Sequence, residues 1–416
     1  MSLLSLSLFP ATQAQTIESR RRSFKEWGRS MTEEEYLRRD AEMDSDEHAS
    51  NRRLTTWVLC SREDPESLGF KCSCETFRRR GLVLRRNSVQ LDNDALGEVV
   101  CYAIASVFTP ERFRRQGYAK HMMRLLHWVL ASPSSLPSTF PAAWGLPPEK
   151  PSWLAHGHFS ALWSDVGHFY QSCGPTTDTQ GWIVRDAIST IWNVEAGDTD
   201  VDTSRRWQWL SASDVETLHS IDDQRIKADM AAMSLASSVG ETFFTFLPGQ
   251  GVEKFQKSRL EHVWGKFKPS VEHWGVVCGP IEPGKTMTTS DEHTAMATWT
   301  FEMKPPTLLV TRLRAGKENF LDLVSALKFV ARMHGMERIE IWNLPEVHKS
   351  IAQEHGAVHI EREEHLPAFK WNGAEASNNV VWLNNEKCVP SFYKKKHFEA
   401  NVVKVLLVLS IIGNSW

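Results

Sequence analysis

No apolar run in this sequence approaches the roughly 20 residues a helix needs to span a bilayer. The strongest, Val402–Ile412 (VVKVLLVLSII), has 11 residues and carries Lys404. It reads as a last buried strand or an aberrant tail, not an anchor, and no membrane partner is expected. The amino terminus, MSLLSLSLFPATQAQ, lacks the basic n-region of a signal peptide, and serines interrupt its apolar stretch. A first strand over Leu3–Phe9 is expected instead. Metal-ligand spacing is also missing. Seven cysteines are scattered (60, 72, 74, 101, 173, 278, 388), and the close pair Cys72-Ser-Cys74 is too tight for zinc and has no second pair downstream. His156, His158 and His168 are near one another without HExxH spacing or a carboxylate at a matching offset, so no metal is expected. The cysteines read as reduced thiols of a cytoplasmic protein. An excess of one charge is absent too. Lys+Arg is 48 and Asp+Glu 51, a net of −3, which excludes a general attraction to nucleic acid.

What is present is an ordinary globular composition over 416 residues, 41% hydrophobic and 24% charged. A single core rarely grows past about 250–300 residues, so two domains are expected. The 17 tryptophans suggest aromatic packing or apolar clefts without choosing between them.

Residues 17–43 are polar and helix-friendly, and Thr32 stands three residues before Glu35 as in a capping box. Leu54–Leu59, Cys74–Phe77 and Val99–Phe108 carry the β-branched and aromatic enrichment of strands. A helix from Tyr118 to about Leu130 follows, with apolar positions 118, 122, 125, 126 and 129 on one face. Residues 131–153 look like a long loop, His158–Trp163 like a strand and Asp165–Ser172 like a helix. After a polar linker at 192–206 the theme repeats. Strands over Thr294–Phe301 and Thr307–Leu313 precede a helix over Phe320–His334 with Gly335 at its C-cap, and then a strand over Ile339–Trp342. This implies a structural duplication without sequence identity.

The chemistry concentrates in Ser106-Val-Phe-Thr-Pro-Glu-Arg-Phe-Arg-Arg-Gln-Gly-Tyr-Ala-Lys120. A strand ends, the chain turns, and a helix starts at Gly117-Tyr118-Ala119. The first helical turn has unpaired N–H groups and partial positive charge. Glycine and alanine allow a phosphate close to the backbone there, and Arg114, Arg115 and Lys120 add counter-charge. The plainer reading is a solvated basic turn.

Arg114-Arg-Gln-Gly-Tyr-Ala119 resembles the Arg/Gln-x-x-Gly-x-Gly/Ala signature of the GCN5-related N-acetyltransferases, placed as in that superfamily between strand and helix. The resemblance implies a mixed, mostly antiparallel α+β sheet flanked by helices, with acetyl-CoA as co-substrate. The implied contacts are Val107, Phe108, Arg114, Arg115, Gln116, Gly117, Tyr118, Ala119 and Lys120. The Phe-Tyr-x-x-x-Gly pattern at 169–174 puts Tyr170 where these enzymes often keep a proton donor for the departing thiolate. The longer pattern, with Trp-Ser-Asp-Val-Gly at 163–167, is similar to fungal lysine N6-acetyltransferases. That implies free L-lysine as acceptor and a step in lysine breakdown. Residues 1–191 would form the catalytic domain, 192–206 the linker, 207–378 a degenerate second lobe and 379–416 an atypical tail. Leu313-Arg-Ala-Gly-Lys317 replaces the anion turn in that lobe.

Amide formation needs a neutral amine, and a lysine side chain has a pKa near 10.4, so a group must accept its proton. Glu98, on the strand leading to the turn, is the first candidate, against a plain strand-start charge. Asp165 is the second, against a helix N-cap. A backbone N–H near Val107 would meet the oxyanion. Asp222-Asp223 reads as a solvated helix face, or as a site for a cationic substrate. Transfer to another amine (polyamine, amino sugar, protein terminus) and a catalytically silent acyl-CoA-binding module are the competing functions.

Overall fold

The computed structural model describes residues 2–28, 31–85, 96–195, 207–233, 241–251, 254–255, 257–258, 270–278 and 295–387. The apolar stretch 402–412 and most of the expected linker (196–206) lie outside them. Two helices open the chain, α1 (Gln13–Trp27) and α2 (Glu33–Met43). Both start on capping boxes. Thr32 and Glu35 bond reciprocally as expected, and Thr12 with Gln15 does the same unannounced.

The first sheet is built on β1 (Leu6–Pro10), β2 (Leu54–Ser61), β3 (Cys72–Arg85), β4 (Leu96–Phe108) and β5 (Phe159–Ser164), hydrogen-bonded in that order. Helix α3 (Tyr118–Leu130) covers one face. Its buried row Met122, Leu125, Leu126 and Val129 packs on Leu6, Leu8, Cys72, Cys74, Tyr102 and Ile104. Cys72 and Cys74 of β3 thus face α3, while Leu82 and Leu84 further along pack on Ile226 and Met230. Ser73, Glu75 and Phe77 face α1, α2 and the loop after α2, where Ser19 Oγ donates to Ser73 Oγ at 2.8 Å and the His48 ring approaches Phe77. Period-two alternation assigns the two faces.

The second sheet comprises β7 (Ile188–Asn193), β8 (Trp207–Leu210), β10 (Gly275–Cys278), β11 (Met296–Met303), β12 (Pro306–Arg314), β13 (Arg338–Trp342) and β14 (Val358–Glu361). Its central unit repeats that of the first. The antiparallel hairpin β11–β12 leads into helix α5 (Phe320–Met333), and β13 then lies parallel to β12, as β5 lies parallel to β4. The expected duplication is there in topology.

The sheets exchange strands, and so depart from the expected division of the chain. β7 joins the second sheet before residue 192, while β9 (Thr242–Phe246), β15 (Leu366–Trp371) and β16 (Val380–Trp382) return to the first. The 14-residue β3 is long enough to give one edge to β2 at Leu54–Leu59 and then to β9. Phe244, Phe369, Trp371 and Trp382 close an aromatic layer around Phe159. The residues just after 378 are therefore core, not a loose appendage.

Helix α4 (Ala212–Met233) lies between the sheets. Neither reading of Asp222-Asp223 holds, since both carboxylates are buried and paired within the protein. Asp222 accepts from Arg312 Nε at 2.6 Å and is 3.3 Å from Arg314, both on β12. Arg312 also donates to Glu386 at 3.2 Å. Asp223 pairs with Arg80 of β3 at 3.3 Å and accepts from the Gly249 N–H at 3.0 Å. Burial pushes the Asp222 pKa up, but the charges of Arg312 and Arg314 outweigh it and hold it below the ordinary value. Removing one partner of a buried ion pair leaves the other uncompensated. Asp222→Asn is therefore expected to lower the unfolding free energy by about 3–5 kcal/mol in a urea titration. A loss below about 1 kcal/mol would show that the lobes do not depend on this cluster.

Candidate active site

β4 and β3 fall out of step near the end of β4. Ser73 pairs with Phe108 and Glu75 with Ala105, so Ser106 and Val107 together oppose the single residue Cys74. This is a β-bulge. Ser106 takes φ +53°, a left-handed conformation that costs a non-glycine residue about 1–2 kcal/mol. β4 pairs with β5 at Cys101–Ala103 alone, and beyond that point the two strands part.

The gap is a cleft of about 260 Å³. Ile104 to Phe108 form one wall, Leu162 and Trp163 of β5 the other. Trp27 at the end of α1 roofs it, its ring 5.7 Å from that of Phe108 in an edge-on contact. Tryptophan thus serves both roles open in the sequence: Trp57, Trp182, Trp192 and Trp299 are fully buried, and Trp27 and Trp163 line the cleft.

One end of the cleft reaches Thr109, Arg114 and Ala119, at the start of α3. Gly117 is the N-cap at φ +83°, and no side chain caps the helix. A Cβ there would meet nothing nearer than Leu3 Cδ1 at 3.9 Å, so glycine is needed for the backbone conformation, not for space. The uncapped first turn offers N–H groups and partial positive charge to an anion. Arg114 is partly engaged, donating to the Thr109 carbonyl at 3.0 Å and to Glu26 at 2.6 Å. Gln116 turns back to the Arg112 carbonyl, at 2.9 Å. Arg115 is exposed and Lys120 half-buried. The Tyr118 ring is buried in the core, so only its backbone faces the turn.

The lining also includes Asp165, Phe169 and Tyr170. The helix expected over 165–172 is a single 3-10 turn, Phe169–Ser172. Ser164 Oγ accepts from the Val166 N–H and donates to the Gly167 carbonyl, folding the chain back before a helix can start. The Tyr170 carbonyl accepts from the Trp182 N–H at 3.2 Å. A Cβ at Gly181 would stand 2.3 Å from that oxygen, so glycine lets the returning chain seat the turn. Tyr170 is half-buried, and burial, with Cys173 and Asp165 nearby, raises its pKa and keeps it an O–H donor. Asp165 is not an N-cap. It accepts from the His365 N–H at 3.0 Å, tying the turn to the start of β15.

Glu98 does not belong to this site. It lies eight residues before Ser106 on an extended strand, about 26 Å away at ~3.3 Å per residue. It is ion-paired with Arg80 and, at 3.0 Å, with Lys227. The hydrogen bond from Arg80 does most to lower its pKa, to about 2, which leaves it a poor proton acceptor. Glu26 and Asp165 line the cleft, and Glu75 stands behind its wall, accepting from Ser106 Oγ at 2.5 Å. The segment Cys-Ser-Cys-Glu-Thr-Phe at 72–77 is half polar, and nothing in it marks this acid.

The second lobe has its own bulge, Thr311 falling between the pairs Thr298–Arg312 and Trp299–Val310. Beside it the Arg312–Asp222–Glu386 cluster fills the interior. The loop 315–319 ends on Asn319, which makes no side-chain cap.

Residues 192–389 match the family described as the LYC1 GNAT-like C-terminal domain. That match covers a little under half of the chain and likens its second lobe to a GNAT-like domain. A lysine acetyltransferase of Yarrowia lipolytica (strain CLIB 122 / E 150) is 27% identical over 166 residues. The match spans 39% of this chain and 39% of that relative. The fold is similar to that of a conserved protein of unknown function from Enterococcus faecalis V583, at TM-score 0.50 and 8% identity, over 88% of this chain and 72% of that one. Gly117 is the position that tests whether the uncapped turn holds an anionic ligand such as coenzyme A. Gly117→Val forces a β-branched residue into the left-handed region, and a cost of at least about 1–2 kcal/mol corresponds to roughly tenfold weaker coenzyme A binding. Isothermal titration calorimetry reads this, and an unchanged affinity would remove the turn from the site.

Proposed function

We propose that the protein is an acetyl-CoA-dependent N-acetyltransferase whose acceptor is a small amine, free L-lysine first among them. The observation that carries this reading is the splay of β4 from β5 beside an uncapped helix N-terminus. The cleft offers an anion site at one end and a proton donor at the other, with exposed strand backbone between them. A pyrophosphate fits the first turn of α3, and the arm of the coenzyme fits the gap between the strands, its thioester at the bulge.

The amine nitrogen then attacks the thioester carbonyl directly, since both substrates are held in one cleft and no acyl-enzyme is needed. The C–N bond forms, and the backbone N–H at Val107 serves the oxyanion. As the C–S bond breaks, the sulfur takes a proton from the Tyr170 hydroxyl. Burial that raises the Tyr170 pKa also makes the departing thiolate more basic, so donation is not defeated. Lysine as acceptor draws support from the Yarrowia relative and from the Trp-Ser-Asp-Val-Gly segment.

The test is a mass-spectrometric assay with acetyl-CoA and a pool of free amino acids, polyamines and amino sugars. N6-acetyl-lysine is the expected product. Acetylation of another amine would keep the chemistry and discard lysine, and coenzyme binding without any product would discard the transferase. Tyr170→Phe is expected to lower kcat about 100-fold, with the KM for acetyl-CoA little changed. Glu98→Gln is expected to leave both unchanged in the same steady-state assay, because its carboxylate stands far from the cleft.

A further inference from the structure

Strict alternation along β4 would turn Ser106 toward α3, beside Ile104. The bulge cancels one step, and Ser106 instead follows Ala105 onto the opposite face, where its hydroxyl donates to Glu75 at 2.5 Å. Ser106 lines the large cleft, while Glu75 lines a second, smaller cavity among α1, α2 and β3. One hydrogen bond therefore links the cleft to a separate chamber on the face away from α3.

That chamber is charged, but its charges are mostly settled among themselves. Arg20 clasps Asp44 with two bonds at 2.9 and 2.7 Å. Arg39 holds Asp40 at 2.9 and 2.6 Å. Glu75 is the carboxylate left over, and Ser106 is its hydrogen-bond partner among the described residues. An enclosed carboxylate with one neutral donor and no arginine clasp is poised to take a proton.

We propose that Glu75, acting through the Ser106 hydroxyl, accepts the proton released by the attacking amine. This rests on the transferase reading above. As the C–N bond forms, the nitrogen passes its proton to Ser106 Oγ, and the Ser106 hydroxyl proton moves to the Glu75 carboxylate. Glu75 then releases it into the chamber, on the far side of the sheet from α3. Ser106 touches the reacting nitrogen, and Glu75 is a positioning and proton-holding residue behind it. The left-handed backbone at Ser106 is the strain that this placement needs.

Desolvation raises the Glu75 pKa above the ordinary carboxylate value, against the opposing pull of Arg20 and Ser106, and Asp40 and Asp44 push the same way as burial. The other groups facing it are Tyr36 and Arg39 of α2, His48 of the following loop and Cys74 of its own strand. The ionised form is the active one, so the rate rises with pH through that raised value and then levels.

The test takes the amine that the wild-type protein acetylates best and measures kcat against pH for wild type, Glu75→Gln and Ser106→Ala. Both variants are expected to lose at least about 100-fold in kcat while keeping coenzyme A affinity, which also shows that they fold. In Glu75→Gln the acidic limb of the profile should vanish. A variant within threefold of wild type, or an unmoved acidic limb, would overturn the relay. A readout independent of turnover is the infrared difference spectrum of protein carrying 13C-labelled glutamate. A glutamate band titrating above the ordinary carboxylate range and absent from Glu75→Gln is expected, and its absence from wild type would overturn the relay. A wild-type protein that shows this band but acetylates no amine would instead overturn the transferase reading.

Discussion

A single extra residue in β4 governs the site. Because Ser106 and Val107 share one partner, the ladder between β3 and β4 cannot stay in register. β4 keeps only three pairs with β5, and the space between them is the cleft. The same irregularity turns Ser106 to the face where Glu75 waits, and Val107 beside it lines the gap. A regular β4 would continue its pairing with β5 and leave no room for an arm of coenzyme. The strained φ of Ser106 is local, and the long, largely buried ladder that precedes it supplies the stability that tolerates it.

The second lobe shows what the bulge needs in order to open. Its hairpin carries the same extra residue and its parallel strand follows the same helix, yet the interior beside the bulge holds Arg312, Asp222 and Glu386. Three charged side chains that satisfy one another occupy the interior beside that bulge, and Glu386 also accepts from the Leu313 N–H. That cluster has a structural use. Asp222 reaches β12, and the adjacent Asp223 reaches Arg80 on β3, so one turn of α4 is tied to both sheets by consecutive carboxylates. Buried networks of this kind hold geometry as long as every member is satisfied.

Local signals were legible in the sequence. The Tyr118–Leu130 helix, the Thr32–Glu35 capping box and the Gly117 turn follow from periodicity and backbone chemistry, and the structure places each where the residues indicate. Long-range facts were not. Nothing near residue 98 tells that Arg80 and Lys227 will neutralise Glu98, and nothing near 222 tells that two arginines of a distant strand will bury Asp222. The exchange of β9, β15 and β16 back to the first sheet is equally non-local, because apolar strands carry no label for the sheet they join. Glu75 was not singled out, since Cys-Ser-Cys-Glu-Thr-Phe at 72–77 is half polar and marks none of its polar residues above the others. Its meaning depended on a bulge in the neighbouring strand, which no pattern in either strand alone announces. The 165–172 segment misled for the opposite reason: its composition suits a helix, and one serine hydroxyl with one glycine folds it into a turn.

The proposed chemistry requires the gap between β4 and β5 to hold the thioester. A crystal structure of the protein with coenzyme A tests this most directly. The pyrophosphate is expected on the N–H groups of the first turn of α3 and the sulfur between Val107 and Tyr170. A pantetheine arm lying outside the splay, or a pyrophosphate bound away from Gly117, would contradict it.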